Sequence, residues 1–247
     1  MSADLAGLVR ASRACVVLTG AGVSTASGIP DFRGDHGLWT REQAARVASI
    51  EGFHADPRGF YAFWAQHLGG LWAAEPNDAH RVIAKLEARG LVHTLVTQNV
   101  DGLHSLAGSR EPLEVHGNFR RARCLTCGAR YETVSFLAEL RPGEAPSCTI
   151  CSGLVKPDVV LFGESPDASF DRAEVAVSAC DLLIAMGTSL EVAPVADLVP
   201  RAIDRGANVV IVNRDPTPFD DDATLVIGGD LVDCARALAR ELAIDLG

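Results

Sequence analysis

Residues 14–25 read ACVVLTGAGVST. Ala14 to Gly20 is a short apolar run that ends in glycine, which is the pattern of a buried parallel strand. Gly20 and Gly22 then predict a tight turn, at the place where a dinucleotide pyrophosphate meets the N-terminus of a helix. The Gly-x-Gly pair is weak evidence by itself, because such glycines often serve only the turn. The dehydrogenase fingerprint also requires glycine at position 25, where this chain has Thr25.

Further apolar runs follow this first strand and alternate with helical patterns. Strands that alternate with helices predict an α/β fold with a doubly wound parallel sheet. We predict core strands at 91–97, 159–162, 181–187, 208–213 and 224–227, and helices near 41–49, 56–70, 76–89, 167–179, 194–205 and 230–244.

Two Cys-x-x-Cys pairs stand in a segment with three prolines and little apolar periodicity. Cys124 and Cys127 form the first pair, and Cys148 and Cys151 form the second after an interval of 20 residues. This spacing is typical of a four-thiolate zinc site, in which two tight turns face each other. Because sulfur fills all four positions, no position stays open for water. We therefore predict one structural Zn²⁺ per chain.

The change in composition predicts two units. Residues 1–116 and 158–247 are expected to form the doubly wound α/β domain, and residues 117–157 a small zinc-binding module inserted into it. Part of the helical region 40–75 is expected to join the small unit.

The bulk composition excludes several classes of function. A net charge of −10 argues against a broad electrostatic contact with nucleic acid or an anionic membrane. The first residues lack the basic start and apolar run of a secretory signal, and no apolar stretch approaches the ~18 residues of a membrane span. We expect a cytoplasmic protein with reduced thiols. Cys15, Cys180 and Cys234 are then expected to be inert core residues.

Polar side chains follow the strand predicted at 91–97. Gln98, Asn99 and Asp101 stand within four positions, in the stretch TQNVDGLH. Asn and Asp favour turns, so a plain strand-to-helix turn is one interpretation. The other is that these groups bind a ligand. A second stretch, SGIPDFRG (27–34), places an aromatic residue and an arginine between glycines, which suits a mobile flap over a ligand.

Taken together with the motifs below, these stretches resemble the sirtuins, the NAD-dependent protein deacylases, over nearly the whole chain. The resemblance is to the bacterial type of sirtuin. The motifs stand in family order: GAGVSTASGIPDFRG (20–34), TQNVDGLH (97–104), HG (116–117), the two CxxC pairs, KPDVVLFGE (156–164), GTSLEVAP (187–194) and VNRD (212–215). The resemblance implies that the larger domain is a Rossmann-type NAD-binding domain, that NAD is consumed as co-substrate and that the other substrate is an acyl-lysine protein or peptide.

By the same resemblance, a set of residues binds NAD. Gln98, Asn99 and Asp101 would line the pocket of the nicotinamide and its ribose. The other implied NAD contacts are Gly20, Ala21, Gly22, Thr25, Asp31, Phe32, Arg33, Trp39, Gly187, Thr188, Ser189, Asn213, Asp215 and Leu231.

The resemblance also implies the catalytic residues. His116 matches the family's general base and Asn99 assists it, whereas His80 and His104 are interpreted as structural. In the implied reaction the acyl oxygen attacks the anomeric carbon as nicotinamide leaves. His116 then helps a ribose hydroxyl to attack the resulting imidate. The products are free lysine, nicotinamide and 2′-O-acyl-ADP-ribose.

Two stretches are expected to contact the acylated substrate. The segment with Val159, Val160, Phe162 and Gly163 would bind the peptide by adding a strand. Sirtuins that prefer succinyl or malonyl lysine resemble one another in a Tyr-x-x-Arg pair, where this chain has Tyr61 and Trp64. The departure predicts deacetylation over desuccinylation. The alternative is that the aromatic residues of FYAFW (60–64) only pack one face of the helix predicted at 56–70.

Two other functions stay open at this point. The same co-substrate chemistry could serve a protein ADP-ribosyltransferase, and a catalytically silent NAD-binding regulatory module is the other possibility. Oligomeric state is not determined by the sequence, and a monomer is compatible with it.

Overall fold

The computed structural model of the protein describes residues 2–30, 46–133, 143–166 and 168–246. The described residues form nine strands and eight α-helices. The strands are β1 Cys15–Thr19, β2 Thr94–Thr97, β3 Leu113–Glu114, β4 Gly117–Cys124, β5 Arg130–Glu132, β6 Val155–Val159, β7 Leu182–Met186, β8 Asn208–Val212 and β9 Leu225–Ile227. The helices are α1 Ser2–Ala11, α2 Ile50–Ala55, α3 Pro57–Ala73, α4 Asp78–Ala88, α5 Leu103–Leu106, α6 Ala168–Ala179, α7 Leu198–Asp204 and α8 Leu231–Glu241.

Six of the strands form one parallel sheet in the order β3-β2-β1-β7-β8-β9. The chain runs outward from β1 in one direction, returns to the middle, and runs outward from β7 in the other. This is the doubly wound order, and its reversal lies between β1 and β7. The predicted fold class is confirmed, with a parallel sheet, flanking helices and a separate small antiparallel sheet.

Helices cover both faces of the sheet because side chains alternate along each buried strand. In β7, Leu182 and Ile184 point to the face covered by α1, α4 and α8, whereas Leu183 and Ala185 point to α6 and α7. Both faces are therefore apolar, which explains why these strands read as continuous apolar runs in the sequence.

A three-stranded antiparallel sheet, in the order β5-β4-β6, carries the cysteine pairs. Below it, Phe53, Phe60, Tyr61 and Trp64 of α2 and α3 pack with Phe119 of β4 in a buried aromatic cluster. The helical segment 50–73 thus contacts the residues of this sheet.

The strand predicted at 159–162 was wrong. The chain forms a strand at Val155–Val159, and this strand pairs with β4 in the small sheet, not with the parallel sheet. The short strand β3 was not predicted. The helix predicted near 41–49 falls largely outside the described residues, and the one predicted at 194–205 begins as a 3₁₀ turn, Val195–Asp197, before α7. No helix within the described residues is long and apolar enough to cross a membrane.

Candidate active site

A cavity of about 1470 Å³ opens at the carboxyl ends of the central strands. Gly20 follows β1, Gln98 follows β2, Gly187 follows β7 and Asn213 follows β8, and all four line this cavity. Doubly wound sheets bind ligands at this edge, where the strand order reverses. The fold therefore brings together residues that lie far apart in the sequence.

The glycine-rich turn after β1 packs directly on the end of β7. A Cβ atom on Gly20 would lie 2.7 Å from the Gly187 oxygen, and one on Gly187 would lie 2.6 Å from the Val23 nitrogen. The Gly22 N–H donates to the Gly187 oxygen at 2.9 Å. These glycines are required because two backbone turns touch each other. The turn continues as two 3₁₀ turns, at 21–23 and 25–27, so the α-helix expected after it is absent.

Most of the residues predicted to bind NAD lie around this one cavity. Asp101 does not line it, and Asp31, Phe32, Arg33 and Trp39 lie outside the described residues. The lining includes Gly20, Ala21, Gly22, Thr25, Gln98, Asn99, Gly187, Thr188, Ser189, Asn213, Asp215 and Leu231.

Hydrogen bonds fix the orientation of the Asn99 amide. Its Nδ2 donates to the Gly20 carbonyl and to Ser24 Oγ, both at 3.1 Å. The Ser24 hydroxyl in turn donates to Asp101 Oδ2 at 2.7 Å, so Ser24 Oγ can only accept from Asn99. Both amide hydrogens are thereby directed into the protein, and Oδ1 is the atom that can accept a hydrogen bond from a ligand hydroxyl or water.

Asp101 is buried beneath the cavity. Its Oδ1 accepts from the Leu103 N–H at 2.8 Å, and its backbone oxygen accepts from Arg120 Nε at 2.7 Å. Burial raises the pKa of Asp101, and these hydrogen bonds and the Arg120 charge oppose the shift. The Asp101 carboxylate thus holds the Ser24 hydroxyl and the first residue of α5.

His116 lines the cavity with one ring nitrogen already assigned. Its Nδ1 lies 3.1 Å from the Gln98 carbonyl oxygen, which can only accept, so Nδ1 carries the hydrogen. The other nitrogen, Nε2, is then the basic atom. Burial lowers the pKa of His116 below its ordinary value, and the bond to Gln98 opposes this shift. The imidazole is therefore neutral at pH 7 and able to accept a proton.

The backbone beyond His116 holds the segment predicted to bind peptide. The Val160 N–H donates to the His116 carbonyl at 2.9 Å. Farther on, Phe162 donates to Ala48 at 2.8 Å and accepts from Ile50 at 3.0 Å. The side chain of Phe162 is 56% exposed at the mouth of the cavity.

The two residues predicted to contact the acyl group differ in position. Trp64 lines the cavity, and its indole N–H donates to the Val47 carbonyl at 2.8 Å. Tyr61 does not line it. Its ring lies within the aromatic cluster, and its hydroxyl donates to the Val155 carbonyl at 2.8 Å.

His80 and His104 are buried side by side behind the cavity, with ring centroids 4.8 Å apart. Asn77 N–H donates to His80 Nδ1, which leaves the Nε2 hydrogen of His80 for Ser24 Oγ at 3.3 Å. Burial lowers the pKa of His80 to about 4, and that of His104 well below its ordinary value.

These two histidines make folding stability depend on pH. Between pH ~6.5 and ~4 the unfolded chain binds protons at both positions that the folded chain does not, so stability is lost as pH falls through this range. For His80 the loss is on the order of 3 kcal/mol. Denaturant unfolding at several pH values gives the free energy of unfolding as a function of pH. The slope of this free energy against pH should be smaller for His80→Gln than for wild type. The exposed His54→Gln is the control, and an unchanged slope in His80→Gln would contradict the assignment.

The four cysteines of the paired motifs converge in the small sheet. Their sulfurs all lie within 4.8 Å of one another, and Cys124 to Cys151 and Cys127 to Cys148 are each 3.5 Å. A tetrahedron with Zn–S bonds of 2.3 Å requires sulfurs about 3.8 Å apart. Backbone N–H groups of residues 126 and 150 point to the first sulfur of each pair, which stabilises thiolates. The donor set fits one structural zinc.

Sequence reasoning missed part of the cavity wall. Ser49 and Glu51 come from the start of α2, Phe119 from β4 and Val192 from the loop after β7. Ser49 caps α2 by accepting from the Gly52 N–H, a signal that the sequence does contain. Val192 lies within the GTSLEVAP motif (187–194), but the motif did not single it out, and Glu51 and Phe119 carry no motif that would have identified them.

The model of the Sir2 family matches residues 20–194 of this chain. A relative from Thermotoga maritima, named "NAD-dependent protein deacetylase", is 40% identical over 235 residues, which are 95% of this chain and 95% of the relative.

Two solved structures are similar over nearly the full length. One, described as "Sir2-p53 peptide-NAD+", has a TM-score of 0.91 and 38% identity and covers 98% of each chain. The other, "Structure of Sir2Tm bound to a propionylated peptide", has a TM-score of 0.90 and 37% identity, again over 98% of each chain.

Proposed function

The chain belongs to the Sir2 family and is an NAD-dependent protein deacylase, and we propose that its reaction takes place in the cavity between β1 and β7, with His116 as the general base. The observation that carries this proposal is the hydrogen bond between His116 Nδ1 and the Gln98 carbonyl. It leaves Nε2 unprotonated at the cavity, where a base is required.

Asn99 is the second residue to which we assign a role in the reaction. Its amide hydrogens are held by Gly20 and Ser24, so Oδ1 is presented without a change of rotamer. Groups fixed before reaction stabilise developing positive charge most effectively, and cleavage of a glycosidic bond develops such charge on the ribose. NAD supplies the ADP-ribose group to which the acyl group is transferred.

One experiment tests the activity and its alternatives together. Purified protein is incubated with NAD and a panel of acyl-lysine peptides, and both nicotinamide and peptide mass are followed. We expect nicotinamide release with loss of the acyl mass from the peptide. Addition of ADP-ribose to the peptide would instead indicate a transferase, and absence of nicotinamide release would indicate a silent binding module.

The acyl pocket that we propose is apolar on its Trp64 side. The indole N–H of Trp64 and the hydroxyl of Tyr61 already donate to Val47 and Val155 carbonyls, so neither can pair with a carboxylate on the acyl chain. Within the described lining, the basic side chains are His116 and Arg214, and Arg214 lies at the end of β8 beside Asp215. A buried unpaired carboxylate is strongly unfavourable.

We therefore expect kcat/KM for an acetyl-lysine peptide to exceed that for the succinyl-lysine peptide by at least ~10-fold. The neutral amide of the succinyl group, which has the same length, is the matched control. It should be processed faster than the succinyl peptide if charge is the cause. Succinyl turnover equal to or faster than acetyl turnover would refute the proposed pocket.

The remaining features of the proposal concern organisation and setting. We propose that residues 117–157 form the inserted zinc module, that residues 1–116 and 158–247 form the NAD-binding domain, and that the acyl-peptide contacts include Val159, Val160, Phe162 and Gly163. The enzyme is proposed to act in the cytoplasm on acylated proteins and without nucleic acid. The net charge of −10 supports the last point.

A further inference from the structure

Lys156 is a fully buried lysine outside the cavity. Its side chain is 0% exposed, and its Nζ lies 2.8 Å from Glu164 Oε2, 2.6 Å from the Val159 carbonyl and 3.4 Å from the Pro157 carbonyl. One ammonium group thus contacts two carbonyls that closely follow it in the chain and a carboxylate eight residues farther on.

Glu164 closes the other half of this arrangement. The same Oε2 accepts from the Leu161 N–H at 2.8 Å. Residues 156–164, which are most of β6 and the turn after it, therefore form a closed segment, here named the clamped loop. Its two ends are joined by the Lys156–Glu164 ion pair, and the Leu161 N–H in its middle is bonded to Glu164. Val160 and Phe162 of this loop are also bonded to His116 and to the 48–50 segment.

A buried ion pair of this kind need not make the folded protein more stable. Lys156 is fully removed from water and Glu164 is 21% exposed, so the pair carries a desolvation cost, and an apolar pair of similar volume is often as stable. Burial accordingly lowers the pKa of Lys156, while Glu164 opposes the shift. The pair does, however, restrict the conformation of the loop, because the buried ammonium has three N–H donors and three oxygen partners, on Glu164, Val159 and Pro157.

The clamped loop lies where a restricted conformation has a use. Val159, Val160, Phe162 and Gly163 all line the cavity. A peptide that adds a strand needs a backbone edge that is already ordered, since ordering it during binding would cost affinity.

We propose that Lys156 and Glu164 are positioning residues for the acylated peptide, holding the clamped loop in its binding conformation before substrate arrives. This rests on the proposed assignment of residues 159–163 to peptide binding. Lys156 lies outside the cavity, and the Oε2 atom of Glu164, a lining residue, is engaged by Lys156 and the Leu161 N–H, so we assign neither a part in the chemical step. Their loss should weaken peptide binding and leave NAD binding unchanged.

The test compares KM values for the two substrates separately. Lys156→Met and Glu164→Gln should each raise KM for an acetyl-lysine peptide by at least ~10-fold, the equivalent of one charged hydrogen bond, with KM for NAD within about twofold of wild type. Lys85→Met replaces the chain's other lysine, which is exposed, and Glu174→Gln breaks the exposed pair with Arg201. Both controls should retain wild-type values.

The outcomes separate two kinds of failure. If the wild type does not deacylate peptides, the proposed function fails. If the wild type is active and both variants keep its peptide KM, or lose NAD and peptide affinity equally, the positioning role is overturned. The double variant Lys156→Met with Glu164→Gln removes both charges and serves if a single variant fails to fold.

A measurement on the wild type needs no variant. Amide hydrogen exchange at Val160 and Leu161 should be slow in the enzyme without peptide, because both N–H groups already have acceptors. Exchange at the rate of an unprotected loop, slowed only when peptide is added, would overturn the proposal.

Discussion

Replacing His116 by alanine is expected to lower turnover by at least ~100-fold, the low end for loss of a general base. The reason is the position of its Nε2, which is unprotonated because Nδ1 bonds to Gln98. Alanine leaves that carbonyl at the edge of a hydrated cavity, where water can replace the lost donor. The fold should therefore persist, and steady-state rates with saturating NAD and peptide measure the effect directly.

The control for this prediction is an exposed histidine. His54→Ala, on α2, should keep the wild-type rate, and both variants should keep wild-type zinc content and thermal unfolding. A well-folded His116→Ala enzyme with near-wild-type turnover would remove His116 from the role of base.

Serine at Cys124 is expected to release the zinc and unfold the small sheet. Cys124 is the last residue of β4, and its sulfur lies 3.5 Å from that of Cys151, which is in the turn before β6. The buried apolar residues around these sulfurs are few, so the metal supplies much of the energy that orders the segment. Metal analysis should give one zinc per chain for wild type and a marked loss for the variant.

Cys234→Ser is the matched control because Cys234 lies in α8, far from the sulfur cluster. It should retain one zinc. Freshly purified and reduced wild-type protein that carries no zinc would contradict the assignment, whatever the variants do. Circular dichroism of the Cys124→Ser protein should report loss of strand structure while the helices of the parallel sheet remain.

The central strands of the parallel sheet were predictable because they are buried on both faces. Between their first and last residues, runs such as DLLIAMG and NVVIVN contain no polar residue, and glycine or asparagine ends each one. The strands of the small sheet carry no such signal. β4 reads GNFRRARC, in which Phe119, Ala122 and Cys124 are buried and Arg121 and Arg123 are exposed, so its three arginines mask the apolar positions in the sequence.

The misplaced strand at 159–162 has a physical cause. Val159 to Phe162 is as apolar as the core strands, but its residues face an aromatic cluster and a cavity rather than neighbouring parallel strands. Local composition reports burial and not the partner that provides it. The strand instead comprises Val155–Val159, where Lys156 and Pro157 argue against a strand in the sequence.

The candidate site was predictable as a set of residues but not in its internal bonds. Gln98, Asn99 and His116 were identified from motifs, and all three line the cavity. That Asp101 turns away to hold Ser24, and that Tyr61 donates to Val155, depends on partners distant in the chain. No local pattern encodes such partners.

The bond from the Val160 N–H to the His116 carbonyl has a consequence for redesign of the enzyme. The clamped loop, which is to receive the peptide, is joined to His116 by this bond and by the pairing of Gly117 with Val159 in the β4–β6 ladder. An insertion or a proline in the clamped loop would therefore tilt the His116 imidazole as well. Trp64, carried on α3, is held by the Val47 carbonyl and packs on the Phe119 ring at 4.3 Å, so altered acyl tolerance can be sought on that helix without inserting residues into the loop.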